Sequence, residues 1–411
     1  MSQKTQMAAD GHPPPSVFSV LPMTTISPPP RVLLGPGPSA AHPRVLAALG
    51  TPLIGHLDPA FVALMEETKT LLRATFQTAN TLTIPISATG SAGMEACLVN
   101  LLEPGDTAIV GVNGVFGTRM TDIVERCGAR AVAVEAPWGR VIEPDSVRAA
   151  LHNHPGAKLV AVVHAETSTG AWQPLEEIGR VVREAGSLFL VDTVTSLAGC
   201  PVRVDDWLID ACYSGTQKCL SCPPGLAPLT FGARAVATLR ARRTKVQSWY
   251  LDLTMIEKYW GDERVYHHTA PISMNYALLE ALRLVHEEGL EARWARHQRH
   301  HQALAAGLGA LGLELAAQEG RRLWMLNSVV IPAGVDDVAL RKGLLEEFQL
   351  EIGGGLGPLK GKVWRIGLMG ESSTVANVLL VLHALERLLP RCGYPVRPGA
   401  GVAAASGDLA S

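Results

Sequence analysis

Short apolar segments alternate with helical segments over residues 107–192, and this alternation limits the fold more than any other feature of the sequence. The predicted strands are almost entirely apolar, as strands are when both faces of a sheet are covered. In chain order the strands are Thr107–Val112, Ala131–Val134, Lys158–His164 and Ser187–Val191, and the helices are Gly117–Cys127, Pro144–His152 and Leu175–Ala185. Repeats of this kind form a mostly parallel sheet between layers of helices, so we predict an α/β fold.

The turns that follow three of the predicted strands are polar: GVNGVFGTR, HAETSTG and DTVTS. In open α/β sheets, ligands bind beyond the carboxyl ends of the strands, so these turns are candidates for a binding site. The last turn begins with Asp192, the only charged residue between Glu184 and Arg203. A lone carboxylate at this place either caps the next turn or pairs with the protonated ring nitrogen of a ligand.

Lys218 is a second isolated charge, the only one between Asp210 and Arg234. Most lysines lie on solvated surfaces among other charges, but the residues around Lys218 are mainly Cys, Ser, Gly, Leu and Pro. Desolvation lowers the pKa of a lysine and exposes its neutral amine. Such an amine forms Schiff bases with carbonyl compounds, pyridoxal phosphate included. Asp192 is the kind of residue that keeps the ring nitrogen of this cofactor protonated.

A strand, a turn of small residues and a helix follow one another at Thr81–Ile86, Ser87–Gly93 and MEACLVNLL. This layout presents backbone N–H groups and the positive end of a helix dipole to an anion. Thr89, Gly90 and Ser91 would hold a phosphate there, but an ordinary helix start gives the same pattern. The spacing matches neither the Walker motif nor the dinucleotide glycine motif, so it does not favour a nicotinamide dehydrogenase.

Arg365 is a third isolated charge, alone between Lys362 and Glu371 in the strand-like stretch VWRIGL. An arginine with no charged neighbour in sequence is either ion-paired in the fold or placed to bind an anionic substrate. A planar guanidinium suits the bidentate binding of a carboxylate.

The composition excludes several classes of protein. Apolar residues make up 47% of the 411 residues and charged residues 18%, which is typical of a folded globular protein. The net charge is −2, the basic residues are scattered, and no apolar run reaches the length of a bilayer crossing. We therefore predict neither nucleic-acid nor membrane partners. Because there is no signal-peptide core, transit peptide or S-K-L ending, we expect a cytoplasmic protein.

Two motifs resemble metal sites but are incomplete. Cys219 and Cys222 form a CxxC pair without the second pair that a zinc site needs. The histidines in the stretch Tyr266–Thr269 lack a third ligand at a standard spacing. We therefore predict no metal site, and we interpret the odd number of cysteines, seven, as free and mostly buried thiols.

We divide the chain into four parts, which are residues 1–30, 31–285, 286–393 and 394–411. The first is a Pro-rich arm that is either disordered or wrapped around a partner subunit, and Met23 within it could be the natural start. The second is a large ligand-binding domain. A long helix from Tyr276 leads into the third part, a smaller α/β domain whose segments include the strand SVVIPAG, the helix DDVALRKGLLEEF and a last helix at Thr374–Leu389. The fourth part is low in complexity and is predicted to be disordered.

Taken together, these stretches resemble the fold-type I, class V aminotransferases, and in particular the alanine:glyoxylate and serine:glyoxylate aminotransferase group. The matching stretches occur in the family's order over roughly Leu33 to Gly370 and are LLGPGPS, ATGSAGMEA, GVNGVFGTR, ETSTG, VDTVTS, YSGTQKCLSCPPG, YHHT and GGLGP…GKVWRIGL. The resemblance implies the pyridoxal phosphate-dependent transferase fold, pyridoxal 5'-phosphate as cofactor and a homodimer with shared active sites.

The resemblance also implies a role for individual residues. Lys218 would form the Schiff base and act as general base, and Asp192 would pair with the pyridine nitrogen. Arg365 would bind the carboxylate of the substrate, and the turn that begins at Gly35 would line the substrate entrance. The other cofactor contacts would be Thr89, Gly90, Ser91 and Gln217 at the phosphate, Thr167 at the ring hydroxyl, Phe116 on the ring face, and Tyr266 and Thr269 at the phosphate of the neighbouring subunit. Phe116 departs from the tryptophan of animal members.

The implied reaction is a ping-pong transfer of an amino group from alanine or serine to glyoxylate, which gives glycine and pyruvate or hydroxypyruvate. Aminoethylphosphonate, ureidoglycine, pyridoxamine and hydroxykynurenine are also possible amino donors in this family. A cysteine desulfurase or lyase of the same fold would need a reactive cysteine in the second domain, and the only cysteine after Cys222 is Cys392. A ligand-sensing protein without activity would not need Lys218, Asp192 and Arg365 together.

Overall fold

Seven strands form the central sheet of the computed structural model, which describes residues 26–410. The strands of the chain are β1 (Val32–Leu33), β2 (Leu82–Ile86), β3 (Thr107–Val112), β4 (Arg130–Glu135), β5 (Leu159–Val163), β6 (Ala165–Glu166), β7 (Ala171–Trp172), β8 (Leu188–Asp192), β9 (Ala211–Tyr213), β10 (Ala227–Phe231), β11 (Leu326–Val330), β12 (Leu350–Glu351), β13 (Gly353–Gly354) and β14 (Val363–Gly367). The sheet order is β2-β10-β9-β8-β5-β3-β4, and β10 is antiparallel to both of its neighbours while the other pairs are parallel. The predicted mostly parallel sheet is confirmed.

Helices cover both faces of this sheet, and others pack around a smaller sheet described below. The helices of the described residues are α1 (Pro43–Leu49), α2 (Pro59–Phe76), α3 (Gly90–Leu101), α4 (Val115–Arg126), α5 (Pro144–Asn153), α6 (Glu176–Glu184), α7 (Ala233–Arg240), α8 (Leu253–Trp260), α9 (Ile272–Glu288), α10 (Leu290–Ala310), α11 (Asp337–Phe348), α12 (Val375–Leu388) and α13 (Ala400–Ala410). The predicted strands and helices over residues 107–192 are all present, with bounds that differ by one or two residues.

Strand β5 shows why the sheet is buried on both sides. Leu159, Ala161 and Val163 belong to the core on one face, with α3, α4, α7 and α8, whereas Val160 and Val162 belong to the core on the other, with α5, α6 and α9. Successive side chains of a strand point to opposite faces, so an uninterrupted apolar run supplies both cores. The run LVAVV therefore fixes β5 at an interior position of the sheet.

A third core lies around a smaller sheet with the order β11-β14-β13. It contains Leu34 together with residues between 303 and 405, including the fully buried Trp364. The predicted segments of this region are present as β11, α11 and α12. From Arg31 onward the chain forms one compact unit, and the predicted boundary at residue 286 stays a prediction.

The long helix predicted from Tyr276 is two helices, because α9 ends at Glu288 and α10 begins at Leu290. Gly289 between them has a φ of 84°, which a glycine adopts without the steric cost that other residues meet. The amphipathic pattern continues across the break, so the pattern alone does not reveal it.

The prediction of a disordered tail at 394–411 is wrong for most of that segment, because Ala400–Ala410 form helix α13. Ala405 is buried in the third core. Close packing explains the composition, since a Cβ atom added to Gly401 would lie 3.1 Å from the carbonyl oxygen of Gly307 on α10. The small residues of this segment, which resemble a low-complexity linker, thus allow α13 to pack closely against α10.

The predicted arm at residues 1–30 lies almost entirely outside the described residues, as does the possible start at Met23. Residues 26–30 are exposed and have no regular secondary structure. No helix in the described part of the chain combines the length and the apolar composition that a bilayer crossing requires.

The start of α13 should depend on one carboxylate. Glu386 accepts hydrogen bonds from the backbone N–H groups of Gly399, Gly401 and Val402 at 2.8–3.1 Å. Glu386→Ala leaves these donors without that acceptor, so we expect a loss of about 1–3 kcal/mol in the free energy of unfolding and faster proteolysis near residue 400. Urea unfolding and limited proteolysis measure both effects.

The control for this experiment is Glu347→Ala. Glu347 forms an exposed ion pair with Arg391, and exposed pairs contribute about 0–1 kcal/mol. An equal loss of stability in the two variants, with no change in proteolysis near residue 400, would contradict the assigned role of Glu386.

Candidate active site

A cavity lies at the carboxyl edge of the central sheet, where the segments after β3, β5 and β8 meet the start of α3 and the segment after β9. The predicted residues that line it are Thr89, Gly90, Ser91, Phe116, Thr167, Asp192, Gln217 and Lys218. Met94, Arg119, Ala165, Val194 and Thr195 complete the lining. The fold thus gathers into one place residues that are up to about 130 positions apart in sequence.

Lys218 follows β9 and directs its amine into the cavity. Its Nζ atom donates a hydrogen bond to the carbonyl oxygen of Pro36. Burial lowers the pKa of Lys218 to about 8, and the positive charge of Arg365 adds to this effect. No carboxylate in residues 26–410 forms an ion pair with the amine, so a sizeable neutral fraction exists near neutral pH. The predicted desolvation of Lys218 is confirmed.

The backbone around Lys218 is held from two sides. The hydroxyl of Ser39 donates to the carbonyl oxygen of Lys218 at 2.6 Å. Arg293 of α10 donates from Nη2 to the carbonyl oxygen of Cys219 at 2.8 Å, while its Nη1 pairs with Glu288 at 2.6 Å. These contacts fix the direction in which the lysine side chain leaves the backbone.

Asp192 is the last residue of β8 and is buried. Its Oδ1 accepts a hydrogen bond from the N–H of Val194 at 2.8 Å, and its Oδ2 accepts one from the hydroxyl of Tyr213 at 2.7 Å. Burial raises the pKa of Asp192 to about 6, although both hydrogen bonds lower it. Asp192 therefore does cap the turn that follows, which is one of its two interpretations, but it also lines the cavity.

The start of α3 forms the anion-binding end of the cavity. The side chain of Thr89, the residue before the helix, makes no capping hydrogen bond, so the first N–H groups of α3 have no side-chain acceptor there. Gln217 is half-buried, and its buried Oε1 atom has no hydrogen-bond partner within residues 26–410. A Cβ atom on Gly215 would lie 2.9 Å from this oxygen, so glycine keeps the space open. A phosphate group fits this end of the cavity.

The ring of Phe116 forms one wall. The guanidinium carbon of Arg119 lies 5.0 Å from the ring centroid, and Nη1 of Arg119 donates to the hydroxyl of Ser91 at 3.2 Å. Arg119 was not predicted as a site residue, although it is the only charged residue between Asp106 and Asp122. Arg119 is thus isolated from other charges in sequence, as Lys218 is, and this isolation is the signal that indicates it.

Arg365 lies on β14 and is only 7% exposed. Its Nε donates to the carbonyl oxygen of Gly354 at 2.7 Å, and its Nη1 donates to that of Thr167 at 3.4 Å. Within the described residues no carboxylate forms an ion pair with this guanidinium, although the negative charge of Glu166 acts on it electrostatically. Of the two interpretations of Arg365, the ion pair is therefore wrong, and the group is available to an anion.

The turn that begins at Gly35 lies against the amine of Lys218. Gly35 itself does not line the cavity, but the carbonyl oxygen of Pro36 accepts the hydrogen bond from Lys218. Gly37 has a φ of 104°, and a Cβ atom there would overlap the lysine amine. The turn consequently has no side chain where it passes the amine.

Tyr266 and Thr269 are not brought into the cavity of their own chain. Both are exposed, with 60% of Tyr266 accessible, and the nearest ring to Tyr266 is that of His56 at 5.4 Å. The resemblance implies that they lie at the site of a neighbouring subunit, and that placement stays a prediction.

Cys219 and Cys222 are free and buried, as predicted, and burial raises the pKa of both thiols to about 12. Cys392 lies in the 3-10 turn Leu389–Cys392 and packs against the third core, away from the cavity lining. Within the described residues no group of three or more His, Cys, Asp or Glu could hold a metal ion.

Comparisons with known proteins agree with this arrangement. The family model described as aminotransferase class-V matches residues 44–355 of the chain. The (S)-ureidoglycine--glyoxylate transaminase of Bacillus subtilis (strain 168) is 44% identical over 395 residues, which cover 91% of this chain and 94% of that protein. The alanine--glyoxylate aminotransferase of Callithrix jacchus is 42% identical over 371 residues, which cover 89% of each chain.

A solved structure gives the same result in three dimensions. The crystal structure of an alanine--glyoxylate aminotransferase from Nostoc sp. superposes with a TM-score of 0.88 and is 51% identical in sequence. The match covers 90% of this chain and 98% of that one.

The lowered pKa of Lys218 should be visible in chemical labelling. In protein freed of any bound carbonyl compound, we expect the rate of reductive methylation at Lys218 to reach half of its maximum near pH 8. Peptide mass spectrometry measures the rate, and the exposed Lys360 in the same digest is the internal reference. Arg365→Gln removes a positive charge and should move the midpoint to higher pH. A wild-type midpoint near the usual lysine value of about 10.4 would contradict desolvation of the amine.

Proposed function

The chain belongs to the class V aminotransferase family, and we propose that it is a pyridoxal phosphate-dependent transaminase that moves the amino group of alanine or serine to glyoxylate. The products are glycine and either pyruvate or hydroxypyruvate. The observation that carries the proposal is the buried, largely desolvated amine of Lys218 in the same cavity as the carboxylate of Asp192.

The cavity has the groups that this cofactor requires. When bound, pyridoxal phosphate supplies an aldehyde that condenses with amines and a ring that takes up electrons from the Cα–H bond of the substrate. Gln217 and the N–H groups at the start of α3 would hold its phosphate, with the side chains of Thr89 and Ser91. Phe116 would cover one face of the ring, Thr167 would contact its hydroxyl, and Asp192 would pair with its nitrogen.

Lys218 has two tasks in this proposal. Its neutral amine would attach the cofactor, and during turnover Nζ would take the proton from the substrate's Cα atom and deliver it to the cofactor carbon that receives the amino group. A pKa of about 8 suits both tasks, because a general base is most effective near the working pH. The backbone contacts from Ser39 and Arg293 would hold Nζ in place while the proton moves.

Arg365 would bind the carboxylate that all amino acid and keto acid substrates share. Its Nε donates to Gly354 and its Nη1 to Thr167, so Nη2 and the second N–H of Nη1 would bind the substrate. The turn at Pro36 and Gly37 lies against the lysine amine and would face the substrate's side chain. The similarity to alanine--glyoxylate aminotransferases supports a small donor such as alanine.

Ureidoglycine is an alternative amino donor, and the spectral experiment described below tests it as well. Ureidoglycine is the donor in the name of the Bacillus subtilis relative, and its side chain is also short. Pyridoxamine, aminoethylphosphonate and hydroxykynurenine are further candidate donors.

We also propose a cytoplasmic homodimer with shared active sites. Tyr266 and Thr269 would reach the phosphate bound in the neighbouring subunit. The exposed rings of Trp249, Tyr250 and Tyr266 lie on one surface region around His267 and support such a contact. Sedimentation equilibrium measures the state, and a monomer at micromolar concentration would contradict it.

The proposed function is tested by the visible spectrum of the purified protein. We expect a yellow protein whose absorption band is lost on addition of L-alanine or L-serine without a keto acid and is restored by glyoxylate. D-alanine and Lys218→Ala are the controls, and neither should give this cycle. A yellow protein that responds only to ureidoglycine would identify that compound as the donor. A protein that stays colourless with added pyridoxal phosphate would overturn the proposal.

Arg365→Gln should act on substrate binding through the carboxylate. We expect a 10- to 100-fold lower kcat/KM for L-alanine, because a hydrogen-bonded ion pair contributes about 1.5–3 kcal/mol. Initial rates with glyoxylate measure this. Arg126→Gln, at an exposed ion pair with Asp122, is the control and should leave the rate unchanged. An equal loss toward ethylamine, which has no carboxylate, would contradict the assignment.

A further inference from the structure

Glu166 is a buried carboxylate that the proposed reaction does not use. It is the last residue of β6, its side chain has no exposed surface, and it lies between the start of α4 and the turn 167–170. It is also the only Asp, Glu, Lys or Arg between Lys158 and Glu176, so it shares the sequence pattern of Lys218. Burial raises the pKa of Glu166 to about 7, against the effect of its hydrogen bonds.

The two carboxylate oxygens bind two different segments. Oε1 accepts hydrogen bonds from the N–H of Ser168 at 3.0 Å and from its hydroxyl at 2.6 Å. Oε2 accepts one from the N–H of Phe116 at 3.1 Å. Phe116 lies in the first turn of α4, where N–H groups have no partner within the helix and the helix dipole favours a negative charge.

The space around this carboxylate is closed. A Cβ atom on Gly114 would overlap the carboxyl group and would lie 2.6 Å from the hydroxyl of Ser168. That hydroxyl in turn accepts a hydrogen bond from the N–H of Val115 at 3.0 Å. Glu166 and Ser168 together bind the first turn of α4 to the turn 167–170, and this close approach requires glycine at position 114.

Both segments carry residues that line the cavity. Phe116 is the ring on one wall, and Thr167 stands between Glu166 and Ser168 in sequence. The carbonyl oxygen of Thr167 accepts the hydrogen bond from Arg365 at 3.4 Å. The charged groups whose fields act on Glu166 are Arg365 and Asp192, which belong to β14 and β8.

We infer that Glu166 is a positioning residue: through Phe116, Ser168 and the peptide of Thr167 it fixes the ring wall and the hydroxyl-bearing turn at the spacing that the cofactor ring requires. This inference rests on the proposed function. Glu166 makes no contact with the reacting atoms, and it acts only through the residues that do. The smaller face of Phe116, compared with a tryptophan, makes a fixed ring orientation more important for holding the cofactor.

The test is Glu166→Gln, which keeps the shape but replaces one acceptor oxygen by an N–H donor. We expect the dissociation constant for pyridoxal phosphate to rise about tenfold or more, since one acceptor oxygen, and with it the hydrogen bonds to one of the two segments, is lost. The circular dichroism induced in the absorption band of the bound cofactor should fall, because the ring loses its fixed orientation. Ser168→Ala removes the hydroxyl contacts with Glu166 and Val115 but leaves the hydrogen bond from Phe116 to Glu166. It should give a smaller change in the same direction, and it tests the inference independently if Glu166→Gln folds poorly.

Glu386→Ala is the matched control, since it weakens the fold at the third core far from the cavity lining. A purely structural role predicts that variants with equal losses of stability bind the cofactor equally well and show equal dichroism. Wild-type affinity and dichroism in Glu166→Gln would overturn the inference and leave the transaminase proposal intact. A wild-type protein that binds no pyridoxal phosphate would overturn both.

Discussion

The rest of the site depends on the burial of one amine, that of Lys218, with which no carboxylate in residues 26–410 forms an ion pair. An isolated ammonium is costly to desolvate, so Lys218 is held in its neutral form far more often than an exposed lysine. The surroundings make this possible: Pro36 supplies a single carbonyl acceptor, and Arg365 adds a repulsive positive charge. Asp192 is close enough to act on the amine electrostatically but is hydrogen-bonded to Val194 and Tyr213 instead.

Much of the fold was predictable because burial on both faces imposes a simple pattern. Strands such as β5 must be apolar at every position, and they stand out between amphipathic helices. The errors have equally physical causes. Gly289 interrupts a continuous amphipathic pattern by its backbone conformation, which hydrophobicity does not record. The small residues of α13 suggested disorder, although a close contact with α10 requires small residues.

The site residues that could be predicted are charged residues with no other charged residue near them in sequence. Lys218, Asp192 and Arg365 satisfy that criterion and lie in or beside one cavity, and Arg119 and Glu166 satisfy it too but were not predicted. Their significance depends on contacts between distant segments, such as the bond from Phe116 to Glu166, which no local pattern contains. Tyr266 and Thr269 were assigned through the family resemblance, and both are exposed and lie outside the cavity lining of their own chain.

Helix α10 links two parts of the molecule that sequence analysis treats as separate. Its first turns hold the backbone beside the reactive amine through Arg293, and its last turns supply Ala303, Leu304 and Leu308 to the third core. Complete unfolding of the third core would therefore also remove the contact that Arg293 makes with the backbone beside the amine, whereas a local change at α13 leaves α10 in place.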